Sequence, residues 1–184
     1  GTGKTLAYVI PALEKIEVEE PHVQVVITAP TRELVMQIHQ VIQLFAQGSG
    51  IKSGAFIGGV ELKRQYERLK KKPQIIVGTP GRLVELIDSK KLKMHKVKLI
   101  VLDEADQMLQ IGFLPEIEDI IEAAPVDCQF VMLSATMPPK VEELAKTYLR
   151  NPGEVQVDAE GITVVAIEQF DVETTELHKQ SKLE

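Results

Sequence analysis

The chain has a single cysteine among its 184 residues. An intrachain disulfide is therefore excluded, and Cys128, beside the apolar run Phe130-Val131-Met132-Leu133, reads as a small buried thiol in a reducing, cytoplasmic setting. No apolar run approaches the roughly 20 residues that span a bilayer. The first residues are glycine-rich and lack the basic leader and apolar core of a secretion signal, so the sequence reads as soluble and unsecreted. Net positive charge is lacking as well: 21 basic against 27 acidic residues give 21 − 27 = −6. Bulk attraction to a polyanion is thereby excluded, and any nucleic-acid contact has to be local. Internal repeats and low-complexity segments are also absent. What remains is the length of one ordinary domain; at about 150 residues a domain buries roughly 70% of its unfolded surface and needs no staple.

Short β-branched runs bounded by turn residues lie at Val23 to Thr28, Gln74 to Val77, Val97 to Leu102 and Gln129 to Leu133. They are apolar on both faces, which predicts buried parallel strands with none at an edge. Helical periods fall between them: Leu6, Ile10 and Leu13; Leu34, Ile38, Val41, Ile42 and Phe45; Leu83, Leu86 and Ile87; Ile117, Ile120 and Ile121. This alternation predicts a three-layer, doubly wound α/β domain with a mostly parallel sheet. Ligands of such sheets bind beyond the carboxyl ends of the strands. Basic residues cluster from Lys63 to Lys72 and from Lys90 to Lys98, as a solvated helix face, a loop or a local contact surface. Asn151-Pro152-Gly153 is a stop signal, with a possible last strand at Glu154 to Val157 and a further extended stretch at Ile162 to Val172.

The unusual residues sit at the expected strand ends. Gly1-Thr2-Gly3-Lys4-Thr5 runs straight into an amphipathic helix. In a phosphate loop, backbone N–H groups and the helix N-terminus hold the phosphates, the lysine reaches the β and γ oxygens, and the hydroxyl ligates Mg²⁺. A glycine-rich chain end is the plainer account of the same five residues. Leu99-Ile100-Val101-Leu102 delivers Asp103 and Glu104, two adjacent acids that repel unless a cation or a proton answers them. One can hold Mg²⁺ through water and the other can orient or deprotonate an attacking water. Capping of the following helix would account for them too, at about 0.3–1 kcal/mol; together with Gly3-Lys4-Thr5 the metal reading is favoured.

Pro30-Thr31-Arg32-Glu33-Leu34 and Thr79-Pro80-Gly81-Arg82 each place a threonine before a helix and an arginine inside it. Helix capping explains the threonines, while a helix N-terminus with an arginine also suits a nucleic-acid phosphate. Gly58-Gly59 fits a plain turn or a close approach of nucleic acid to the main chain. The hydroxyls of Ser134-Ala135-Thr136 can bond the Asp103 to Asp106 turn or satisfy local backbone.

In order and spacing these segments resemble the motifs of the first RecA-like domain of DEAD-box RNA helicases, over roughly Gly1 to Asp158. The resemblance implies that Gly1, Thr2, Gly3, Lys4 and Thr5 bind ATP, with Lys4 on its phosphates. It implies that Thr5 and Asp103 hold Mg²⁺, that Glu104 is the catalytic base, and that Asp106, Ser134 and Thr136 couple the nucleotide state to domain closure. Thr31, Arg32, Gly59, Thr79, Gly81 and Arg82 are implied along an RNA backbone. The implied activity is ATP-dependent local unwinding or clamping of RNA, in concert with a second RecA-like domain. A non-catalytic RNA clamp or protein-docking module is the alternative, and Glu104 argues against it.

Relative to that family's pattern, the first half of the phosphate loop and the adenine-reading segment before it are expected to be missing. Residues 1–158 are expected to form the ATP-binding domain, and 159–184 the linker and the start of a second domain that is otherwise missing. That domain supplies a transition-state arginine worth about 10³–10⁵ in rate, so this chain alone is expected to show almost no RNA-stimulated ATPase.

Overall fold

The structure, a computed structural model, describes residues 3–156. Helix α1 (Gly3–Glu14) leads to β1 (Val25–Thr28), α2 (Arg32–Phe45), β2 (Ser53–Phe56), α3 (Leu62–Lys70) and β3 (Ile75–Gly78). The chain continues through α4 (Pro80–Asp88), β4 (Leu99–Leu102), α5 (Ala105–Ile111), α6 (Leu114–Glu122), β5 (Gln129–Met132) and α7 (Pro139–Tyr148). The strands lie in the order β2-β3-β1-β4-β5, and every pairing is parallel.

Side-chain alternation along the strands sorts the core into two halves. Val25, Ile27, Ile75, Val77, Leu99 and Val101 face α1 and α2. Their neighbours Val26, Ile76, Ile100 and Leu102 face the opposite layer, with α4, α5, α6 and α7 packed there and α3 at its margin. The result is the expected three layers, with β1, β3 and β4 buried along their whole length. Each fully buried Val or Ile contributes about 1.5–3 kcal/mol, which is why such short strands suffice.

The structure departs from the sequence expectations in five places, one of them the end of α2, where Phe45 of the helical period is exposed. Strand β2 was not anticipated, because Ser-Gly-Ala-Phe carries no β-branched residue; pairing in register with β3, Ser53 opposite Ile75, makes it a strand. Gln129–Met132 is an end strand among the described residues, with Gln129 exposed and the other three half-buried. Its apolar content reflects the faces it covers, which says nothing of how many strands flank it. In α1 the buried residues are Tyr8, Val9 and Ala12, whereas Ile10 is exposed and Leu6 and Leu13 are half-buried. Residues 154–156 carry no strand, and Val157, like the stretch from Ile162 to Val172, lies outside the described residues.

Of the two basic clusters, Lys63 to Lys70 is helical in α3, with surface pairs Arg64–Glu61 and Lys70–Glu67, while Lys91 to Lys98 is the loop before β4. Cys128 is buried, and that burial, with the Asp127 charge, pushes its thiol up to about 11, so it stays protonated and inert.

Gly78 ends β3 where space is scarcest. A Cβ there would lie 2.6 Å from Leu83 Cδ2 and 2.8 Å from the Phe56 carbonyl oxygen. Gly78→Ala should therefore cost about 1–3 kcal/mol in urea unfolding through overpacking; a midpoint equal to the parent's would show that the end of β3 has room.

Candidate functional site

In-register pairing aligns the carboxyl ends of the central strands: Thr28 stands opposite Gly78 on one side and Leu102 on the other. The buried Thr28 hydroxyl donates to Gly78 O at 3.0 Å, and Asp103 N–H donates to Thr28 O at 3.0 Å. The segments after β1, β3, β4 and β5 thus emerge side by side along one edge.

Asp103, directly after β4, is half-buried, and its Oδ2 accepts a 2.6 Å hydrogen bond from the Tyr8 hydroxyl. Tyr8 is 4% exposed and lies one turn after Thr5. Burial and then the Asp103 charge hold the Tyr8 hydroxyl well above the ordinary phenol range, so it acts as a donor. This contact ties the first turns of α1, with Lys4 exposed and Thr5 half-buried, to the end of β4. Gly1 and Thr2 lie outside the described residues. Tyr8 was not singled out from the sequence; the available signal was an aromatic carrying a hydroxyl one helical turn beyond Thr5.

Glu104 occupies the left-handed region at φ 52° and ψ 52° and caps α5 without a side-chain bond. Simple side-chain capping therefore does not explain this acid. Desolvation at the strand end, then the Asp103 and Asp106 charges, raise its carboxyl above the ordinary value. Ala105 N–H donates to Leu133 O at 2.9 Å, which locks the turn to the end of β5.

Asp106, 8% exposed, is gripped by the segment after β5. Its Oδ2 accepts from Thr136 Oγ1 at 2.7 Å and Thr136 N–H at 3.2 Å, and Oδ1 accepts from Gln107 N–H at 3.0 Å. Its own N–H donates to Ser134 Oγ at 3.2 Å, and Ser134 Oγ donates to Thr136 O at 2.6 Å. Burial pushes the Asp106 carboxyl up, and these bonds more than offset it, leaving it below the ordinary carboxylate value. A shallow cavity of about 220 Å³ opens between Pro30, Thr31, Glu104, Asp106, Ile111 and Ala135.

The residues assigned to the nucleic-acid side share the same edge. Thr31 caps α2, its Oγ1 accepting from Leu34 N–H at 3.2 Å. Thr79 precedes α4 without a side-chain cap bond, with Pro80 at the first helical turn, and the space beside Gly81 is open. Gly59, at φ 78°, lies against the exposed Arg32: a Cβ there would come within 2.8 Å of Arg32 Nη1. Arg82 is turned inward. Its side chain is 10% exposed, donating to Val60 O at 2.9 Å and pairing with Glu85 Oε2 at 2.9 Å. It braces the glycine loop that faces Arg32. Fully buried Gln65, donating to Ile57 O at 2.7 Å, braces the same loop and carried no sequence signal.

Among the described residues no group of three His, Cys, Asp or Glu side chains converges to hold a metal ion, and no helix is long and apolar enough to cross a membrane. The two residues expected to hold a metal, Thr5 and Asp103, offer hard oxygen donors that are too few to saturate a cation by themselves. That set fits Mg²⁺, which keeps several waters and shares substrate phosphates.

A parallel five-stranded sheet with a helix opening beside a paired-acid turn defines a RecA-like α/β domain. The DEAD/DEAH box helicase family model matches residues 1–144, and the chain belongs to that family. It is 50% identical over 157 residues to the DEAD-box ATP-dependent RNA helicase CshC of Bacillus cereus, covering 85% of this chain and 40% of that protein. It is equally identical, over 157 residues, to the probable ATP-dependent RNA helicase YfmL of Bacillus subtilis, covering 42% of that protein. A crystal structure of a DEAD box protein from the hyperthermophile Methanococcus jannaschii superposes with a TM-score of 0.78 at 36% identity, covering 82% of this chain and 41% of the other. The yeast DEAD-box splicing factor Prp28 gives 0.75 at 33% identity, covering 82% and 38%. The chain thus spans about 40% of the length of the curated relatives it matches.

Because the folded Asp106 carboxyl lies below its ordinary value, its bonds stabilise the domain above the unfolded-state pKa and are lost as pH falls through the folded one. Thr136→Val should cost about 1.5–3 kcal/mol at neutral pH. The gap to the parent should narrow as pH falls through and below the ordinary carboxylate range and the acid protonates; a gap independent of pH would mean that the carboxylate is not the group being stabilised.

Proposed function

We propose that this chain is the ATP-binding domain of an ATP-dependent RNA helicase, in which ATP binding and hydrolysis are coupled to RNA binding and local duplex opening. The observation that carries the reading is the convergence on one sheet edge of the α1 N-terminus, the Asp103-Glu104 turn and the Ser134 to Thr136 clasp on Asp106. The relatives named above, ATP-dependent RNA helicases, support it.

In this reading the backbone of Gly1, Thr2 and Gly3 and the ammonium of Lys4 cradle the phosphates. Thr5 and Asp103 would hold Mg²⁺, which when bound would neutralise charge developing on the transferred phosphate. Glu104 orients the attacking water and takes its proton; desolvation at the strand end raises its carboxyl above the ordinary value and so makes it a stronger base. Asp106, Ser134 and Thr136 report the nucleotide state to a second RecA-like domain of the same protein. Residues 1–158 form the first domain, and 159–184 lead toward the second. Arg32, Thr31, Gly59, Thr79 and Gly81 line the RNA backbone, and Arg82 acts there by holding the Gly58-Gly59-Val60 loop in place. Contacts of this kind position a strand without reading its bases. A single buried thiol and an RNA substrate suit the cytoplasm.

The test is made in the full-length protein. Glu104→Gln should retain ATP binding and lose RNA-stimulated phosphate release by about 10² or more, the ordinary scale for a general base; sustained turnover would remove Glu104 from the chemistry. The parent should prefer RNA over a DNA strand of the same sequence, since only RNA offers the 2′-hydroxyl; equal binding would leave the polymer assignment without support.

A further inference from the structure

The Tyr8 hydroxyl belongs to none of the roles above, yet it makes one of the two shortest polar contacts at the nucleotide edge. It donates at 2.6 Å to one oxygen of Asp103, and no other side-chain donor reaches that carboxylate among the described residues. The ring is held by burial in the face of α1 that packs on β1, β3 and β4, in a cluster with Val9, Ala12, Ile27 and Val101. A phenol has only two torsions, both fixed by this packing, so the position of the hydroxyl is set by the core and not by solvent. Occupying Oδ2, it leaves Oδ1 as the oxygen open to a cation or its water. It also lies one turn from Thr5 on the same helix, so its bond to Asp103 ties together the elements that carry the two groups assigned to Mg²⁺.

We infer that Tyr8 is a positioning residue that orients Asp103 toward the nucleotide-bound Mg²⁺ and thereby sets the concentration of Mg²⁺ needed to tighten ATP binding. The inference rests on the nucleotide-site reading given above. Hydrogen-bond partners of metal-ligating groups behave in this way: removing one weakens the metal by about 10–100-fold while the ligand itself remains. Without the phenol the carboxylate is free to rotate, and the helix that carries Thr5 loses its polar tie to β4.

Tyr8→Phe keeps the ring in its core position and deletes only the hydroxyl. Binding of a fluorescent non-hydrolysable ATP analogue to the full-length protein, titrated with Mg²⁺, should show the half-saturating Mg²⁺ concentration raised by about 10-fold or more. Affinity for the analogue in EDTA should be unchanged. In an Asp103→Asn background the same substitution should leave the Mg²⁺ dependence where Asp103→Asn alone puts it, since the bond acts through that carboxylate. Equal Mg²⁺ dependence of parent and Tyr8→Phe would overturn the inference. So would a loss of affinity of the same size with and without Mg²⁺, because that is the signature of a purely structural tyrosine. Parent protein that binds the analogue with no response to Mg²⁺ would overturn the nucleotide-site reading itself, a result distinct from either of these.

Discussion

The parallel register of β1 with its two neighbours is the constraint on which the site depends. Thr28 opposite both Gly78 and Leu102 brings three strand ends level, and the Thr28 hydroxyl and carbonyl close the gap from each side. A register shift by one residue would exchange the inward sets of Val26 and Ile27 between two different cores, so burial on both faces enforces the alignment. The chemistry at the edge inherits its precision from packing far below it.

On that edge the acidic turn is held in a conformation that its residues would not choose. Glu104 sits at a positive φ, a cost of about 1–3 kcal/mol for a residue with a Cβ. Bonds on either side keep it there: Asp103 N–H to Thr28 O, Ala105 N–H to Leu133 O, and the four contacts around Asp106. The same bonds make the ends of β4 and β5 a single unit, so a movement of Thr136 cannot leave the Asp103-Glu104 pair untouched. In the proposed function, Asp106 is the physical carrier of coupling between the nucleotide and whatever packs beside Thr136.

The basic side chains divide their labour by exposure. Arg32 reaches solvent beside Gly59, whereas Arg82 spends its guanidinium on Val60 O and Glu85. Two arginines in closely similar local sequences therefore differ in kind, one exposed beside Gly59 and one bracing the glycine loop. With a net charge of −6, such placement matters more than the number of cations.

Most of the architecture was legible in the linear order of residues. Apolar β-branched runs alternating with helical periods marked β1, β3 and β4, and the residues after them were those of the candidate site. Order alone also placed Ile117, Ile120 and Ile121 on the buried face of α6. What order could not specify was every property set by a neighbour distant in the chain. Ser53–Phe56 becomes a strand only because Ile75–Gly78 offers it a partner. Gln129–Met132 reads like a central strand and lies at the end of the sheet, since apolarity records burial of faces and not of edges. The buried face of α1 turns on Tyr8, whose polar tip hides its place in the core until Asp103, 95 residues away, comes within 2.6 Å. Local sequence carries propensity and pattern, but hydrogen-bond partners and side-chain direction are long-range, and only the packed fold chooses them.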